Sequence, residues 1–232
     1  MSTPKKFAII SASTDDQFDW LEGITRLHSF SLHKGCNITS AYNARPLTIA
    51  YNEILKEIRD DKLIDYAIFI HSDVVIEDLY FLDKIAKSEF DVIGVAGATA
   101  IDMRVTPLSW YNAAKDARDR RGLVNHQYHD GRQYMSLYSN GTPLSSKCLC
   151  IDGVCMVMNR KAIDSGLQFD ERFAFDFYDM DLSLQAVIDY KLNVGVEPLY
   201  ITHRSIGGGI MKDSYKVAEK AFREKWELRL KG

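Results

Sequence analysis

The sequence is poor both in the residues that mark small secreted scaffolds and in those that mark disordered chains. Its 232 residues hold only 4 cysteines: Cys36, Cys148, Cys150 and Cys155. Four thiols in a chain this long do not make a disulfide framework. At this length, burial of roughly 70–75% of the unfolded surface supports a core without staples. The 14 glycines and 5 prolines fall below average usage, which excludes collagen-like repeats and low-complexity linkers as the main theme. No apolar run approaches the ~20 residues that span a bilayer, and Phe7 to Ile10 is too short for the apolar region of a signal peptide. A soluble cytoplasmic protein with reduced thiols is expected. Positive charge is not in excess either: 29 Lys and Arg against 32 Asp and Glu give a net charge of −3, so a nucleic-acid partner is not expected.

What is present is an alternation of strand and helix patterns. Lys6 to Ser11 is a short apolar run with the look of a buried strand. Residues 17–34 carry apolar side chains at helical spacing, Cys36 to Tyr42 is a second strand, and Leu47 to Ile58 a helix. A continuous apolar run from Asp65 to His71 follows, then a short helix at 81–87 and a strand at 90–96. Such alternation implies an α/β fold, a mixed and mostly parallel sheet flanked by helices. Residues 102–146 break the pattern and suggest a long loop, or a small helix plus hairpin, covering a site. Order resumes with a strand over 147–158, a helix over 181–192, a strand over 194–200 and a charged helix over 213–230. One domain over 1–232 is expected, with a first half to about residue 100, a second to about 210 and a terminal helix.

In open α/β sheets ligands bind beyond the carboxyl ends of the strands. The residues there are Ser11-Ala-Ser13, His71-Ser72-Asp73, Thr202-His203 and, opening the late helix, Tyr178-Asp179-Met180-Asp181. A carboxylate at a strand end holds Mg²⁺ or Mn²⁺ that bridges phosphate oxygens, or else starts a turn. Asp179 and Asp181 are preferred N-cap residues, and the helix dipole that favours them there also keeps a general base ionised. Position alone does not assign which caps and which catalyses. The two lie about 200° apart around a helix axis.

In this order the segments resemble the nucleotide-sugar-dependent glycosyltransferases of the large inverting family with the GT-A fold, in particular its glycosyltransferase-like subgroup. The resemblance runs over about residues 7–208. Tyr51-Asn52, Phe69-Ile-His71-Ser72-Asp73, Asp91 to Gly97, Ile151-Asp152-Gly153, Phe177 to Leu184 and His203-x-Ser205-x-Gly207 carry it. It implies a nucleoside-diphosphate sugar donor, a glycan or lipid-linked acceptor and a divalent cation, Mn²⁺ or Mg²⁺. It also implies roles: Asp179 as catalytic base, Asp73 and His203 as metal ligands, and Ser11, Ser13, Asn52, His71 and Ser72 at the donor. Trp110, Asp152, Gly153 and Asp181 are then expected in the sugar or acceptor pocket. The chain departs from the family at His71, where the motif has its first Asp, and at Tyr178, where it has Glu. A silent nucleotide-sugar-binding module and a metal-dependent phosphohydrolase or nucleotidyltransferase are the competing expectations.

Other signals point to no chemistry. Cys148 and Cys150 share a strand face that Cys155 does not, without a fourth ligand at zinc spacing. His126-x-x-His129-Asp130 lies between glycines and is expected in a solvated loop. Gly207-Gly208-Gly209 lacks phosphate-fingerprint spacing and is expected to form a loop. Lys115 to Arg121 reads as a solvated face. The last helix interleaves Lys and Arg with Phe222, Trp226 and Leu228, a pattern that suits either peripheral contact with a membrane or packing on its own domain.

Overall fold

A computed structural model describes residues 5–13, 36–42, 46–205 and 213–230. The elements run β1 (Phe7–Ser13), β2 (Cys36–Tyr42), α1 (Leu47–Asp60), β3 (Tyr66–Ile70), β4 (Val74–Ile76), α2 (Phe81–Lys87), β5 (Val92–Gly94) and β6 (Ala96–Ala98). Then come α3 (Trp110–Ala113), β7 (Arg120–Gln127), β8 (Gln133–Leu137), β9 (Ser146–Lys147), β10 (Cys150–Ile151), β11 (Cys155–Asn159) and α4 (Arg160–Asp164). The last are α5 (Tyr178–Leu184), β12 (Val194–Val196), β13 (Ile201–His203) and α6 (Asp213–Trp226). The helix expected over 17–34 and the Gly207–Gly209 loop lie outside the described residues.

The strands form two sheets. The first has the order β2-β1-β3-β11-β5-β12-β9, and the second β10-β6-β7-β13-β4 with β8 paired to β7. In the first sheet β2, β1, β3, β5 and β12 run one way, and β11 and β9 run against them. This is the mixed, mostly parallel sheet that the alternation implies. The second sheet was not legible from it, because short antiparallel strands from distant parts of the chain carry no period of their own.

Two expected strands are broken at the points where the chain passes from one sheet to the other. The run at 90–96 is two strands, β5 in the first sheet and β6 in the second. The break is Val95, whose carbonyl accepts from Leu123 N at 3.1 Å. The strand expected over 147–158 is three pieces, β9, β10 and β11, with the turn at Asp152-Gly153 carrying the chain from the second sheet back to the first. The halves expected on either side of residue 100 therefore share the first sheet. The hairpin and small helix expected within 102–146 are β7–β8 and α3. Cys148, Cys150 and Cys155 are free, buried thiols.

The expected N-caps also differ. The residue before α5 is Phe177, in the left-handed region at φ 67°, so neither Asp179 nor Asp181 caps that helix. A bulky side chain holds such a conformation only when its surroundings impose it. Phe177 stacks on Phe222 of α6 with ring centroids 5.1 Å apart. The helix then passes into a π-helical turn over Gln185–Asp189.

Helix α6 is fastened to α5 from the other side. Phe222 and Trp226 are fully buried, so the aromatic residues that a lipid surface would need are turned into the core. Asp181, also fully buried, accepts from Trp226 Nε1 and Lys225 Nζ, each at 2.7 Å, and from Gln185 Nε2 at 2.7 Å. Among the described residues no helix is long and apolar enough to cross a membrane. Removing one partner of a buried ion pair leaves the other uncompensated. Asp181→Ala is expected to cost about 3 kcal/mol, the low end of such losses because Lys225 keeps Asp170 as a partner. A urea melt that matches wild type would show that α6 is held by its aromatic residues alone.

Candidate active site

The site lies where the two sheets meet. Strand β3 ends at Ile70, the turn His71-Ser72-Asp73 follows, and β4 begins in the second sheet. Strand β13 pairs with β4 so that His203 stands opposite Val74. This pairing brings residues 130 positions apart together: His203 Nε2 lies 3.3 Å from Asp73 Oδ2. One ligand atom from each of His71, Asp73 and His203 falls within a group no wider than 4.8 Å, the one cluster of potential metal ligands among the described residues.

The electrostatics suit a cation. Burial pushes Asp73 up, but its hydrogen bond to His203 and the charge of that ring outweigh this, so the carboxyl is held below its ordinary range. Burial, and then the neighbouring His203, lower His71 and favour its neutral, lone-pair-bearing form. Two imidazoles and one carboxylate form a donor set that fits a divalent transition ion.

Beside the triad a cleft of about 330 Å³ is lined by His71, Trp110, Asp152, Gly153, Phe175 and Asp179, among others. Asp152 accepts from Trp110 Nε1 at 2.6 Å and from Val154 N at 2.8 Å, which fixes the Trp110 ring as one wall. Phe175 is 60% exposed and stacks on His71 at 5.9 Å.

Asp179 projects from the first turn of α5. Its Oδ2 accepts from Gly153 N at 2.9 Å and its Oδ1 from Met180 N at 2.7 Å. The helix dipole was expected to keep this carboxylate ionised. Burial outweighs it, and with the charge of Asp152 raises Asp179 to about 7, despite both backbone hydrogen bonds. A carboxylate tuned to neutrality in a cleft is suited to take and return a proton.

The remaining expected residues divide. Ser72 lies in the turn between His71 and Asp73. Asn52 is turned to the protein instead: its amide donates to Phe169 O at 2.9 Å and to Glu171 Oε1 at 3.1 Å, and its Oδ1 accepts from Phe169 N at 2.9 Å. It clamps the segment leading into α5. Ser11 is fully buried with an unpartnered hydroxyl and does not open on the cleft. Ser13 ends β1, and its side chain lies outside the described residues. Asp181 is excluded from the pocket because its carboxylate is spent on α6.

Two residues of the site were not singled out for roles. His126 was expected in a solvated loop, yet it is 8% exposed on β7 and stands opposite His203 in the parallel pairing of β7 with β13. Nothing local announces that pairing. Tyr178 was noted only as a departure. Its hydroxyl donates to Gly153 O at 2.9 Å and lies 2.7 Å from His71 Nε2.

A family described as "Glycosyltransferase like family" matches residues 8–225. No curated protein matches the sequence. Among solved structures, the chain is similar to the catalytic domain of Drosophila beta1,4galactosyltransferase 7 in complex with xylobiose. The identity is 10% and the TM-score 0.53, over 91% of this chain and 78% of that one. It is also similar to A197 from STIV, at 9% identity and TM-score 0.49, over 89% of this chain and 98% of that one. The galactosyltransferase likeness supports a GT-A-type fold.

The raised pKa of Asp179 has a consequence for stability. A carboxyl bound more tightly to its proton when folded contributes stability that is full below about pH 4 and lost as pH rises through about 7. Asp179→Asn removes that loss while keeping the shape. Its melting temperature is expected to exceed that of wild type at pH 8, by a margin that shrinks at pH 5. A pH-independent difference would place the Asp179 pKa near that of an exposed carboxylate.

Proposed function

Because the chain belongs to the glycosyltransferase-like family and is a glycosyltransferase, we propose that it moves a sugar from a nucleoside-diphosphate sugar to an acceptor hydroxyl with inversion at the anomeric carbon. The observation that carries this reading is Asp179, a half-buried carboxylate whose pKa is raised to about 7, on the wall of an aromatic-lined cleft next to the His71-Asp73-His203 triad. The acceptor lies in the cleft against Trp110 and Phe175. Asp179 takes the proton of its hydroxyl as the oxygen attacks the anomeric carbon, and the bond from that carbon to the diphosphate oxygen breaks on the opposite face. Asp152 holds the Trp110 wall, and the N–H groups of Gly153 and Met180 hold the Asp179 carboxylate in place.

His71, Asp73 and His203 are the residues that would hold a divalent cation. Such an ion supplies positive charge against the departing nucleoside diphosphate. Imidazole nitrogens suit Mn²⁺ better than Mg²⁺, which prefers an all-oxygen shell. The glycan or lipid-linked nature of the acceptor is part of the same reading, supported only by the resemblance.

Asp179→Asn is expected to lower transfer by about 10²–10⁴, with donor affinity within a few-fold of wild type. The wild-type turnover rate is expected to rise with pH through about 7, as the base loses its proton. Asp73→Ala, by contrast, is expected to abolish metal-dependent donor binding. A panel of nucleotide sugars with Mn²⁺ or Mg²⁺ and simple sugar acceptors tests these points. Tight donor binding by wild type without transfer would favour a silent binding module. Full activity in Asp179→Asn would remove the base.

A further inference from the structure

The hydrogen bonds around Tyr178 settle a question that the triad leaves open, namely which nitrogen of His71 a cation meets. Tyr178 is buried, and its hydroxyl donates its single proton to the Gly153 carbonyl 2.9 Å away, a partner that can only accept. The same oxygen lies 2.7 Å from His71 Nε2. With its proton already given to Gly153, it interacts favourably with His71 only by accepting, so Nε2 carries the hydrogen and Nδ1 is the nitrogen with a free lone pair. We infer that Tyr178 is a positioning residue: its hydroxyl, spent on the Gly153 carbonyl, fixes the tautomer and ring orientation of His71 and so presents Nδ1 to a divalent cation held with Asp73 and His203. The inference rests on the metal reading above and goes beyond it by assigning the residue that makes His71 a ligand.

The packing supports a fixed arrangement. A Cβ on residue 153 would overlap the Tyr178 hydroxyl and ring, so only glycine lets the backbone approach this closely. The Tyr178 ring is held by Tyr51, at 6.5 Å between centroids, and by Phe169, at 6.0 Å. Phe175 stacks on the far side of the arrangement, over the His71 ring. Outer partners of this kind orient an imidazole ligand, and their loss typically weakens metal affinity by about 10–100-fold. Tyr178→Phe keeps the ring and its packing and removes only the oxygen.

Two measurements on the full chain test the inference. The first needs no variant: long-range ¹H–¹⁵N correlation spectra of the metal-free wild type, with His71 assigned by its loss in His71→Ala, are expected to show the proton on Nε2. A proton on Nδ1 would overturn the proposal. The second is Mn²⁺ affinity, read from the free-ion electron paramagnetic resonance signal for wild type, Tyr178→Phe, His71→Ala and the double variant, each checked for folding by circular dichroism. Tyr178→Phe is expected to weaken Mn²⁺ binding by about 10–100-fold, and to cost nothing further once His71 is alanine. Equal affinity of Tyr178→Phe and wild type, or the same loss in the His71→Ala background, overturns the positioning role and leaves the triad standing. Wild type that binds no Mn²⁺ overturns the metal reading itself, and this inference with it.

Discussion

The backbone of Gly153 ties the site together. Its N–H donates to Asp179 Oδ2, and its C=O accepts from the Tyr178 hydroxyl, which in turn meets His71 Nε2. One peptide segment therefore holds the carboxylate on one side and, through Tyr178, an imidazole of the triad on the other. A side chain at 153 would collide with Tyr178 and crowd the Asp179 Cβ. The geometry of both groups depends on that residue having none.

The same segment is a crossing between the two sheets. The chain passes from β3 to β4 through the turn at 71–73, and from β10 to β11 through the turn at 152–154. At such crossings the backbone leaves its ladder, and polar groups without strand partners must find others. Asp152 satisfies Val154 N, and Asp179 satisfies Gly153 N. The joint between the sheets thus gathers carboxylates and imidazoles at one edge. Burial there raises Asp179, while the nearby rings hold Asp73 down. Two aspartates of one small site are driven in opposite directions.

Helix α6 contributes from behind. Asp179 and Asp181 sit on opposite sides of α5, and the second is locked by Lys225 and Trp226. That lock fixes the rotation of α5 about its axis, and so the direction in which Asp179 points. Lys225 also bridges to Asp170 at 2.8 Å, on the segment that Asn52 clamps through Phe169. Asn52 and Asp181, both expected at a ligand, brace the helix that carries Asp179.

The sequence by itself determined what local patterning can carry. Apolar runs placed β1 and β3, helical spacing placed α1 and α6, and the polar residues at strand ends and at the start of the late helix marked a candidate edge from which the family resemblance picked out His71, Asp73, Asp179 and His203. These are properties of neighbours along the chain, because burial of one face imposes a period. Tertiary structure decided the rest. Ser11 and Asp181 look as polar in sequence as Asp73 and Asp179, yet they are fully buried. His126 lies in a stretch as polar as any loop, and only the pairing of β7 with β13 brings it beside His203. The pKa of Asp179 depends on its burial and on the charge of Asp152, 27 residues away in sequence but beside it in space. Desolvation and charge act through distance in space, and no spacing along the chain encodes them.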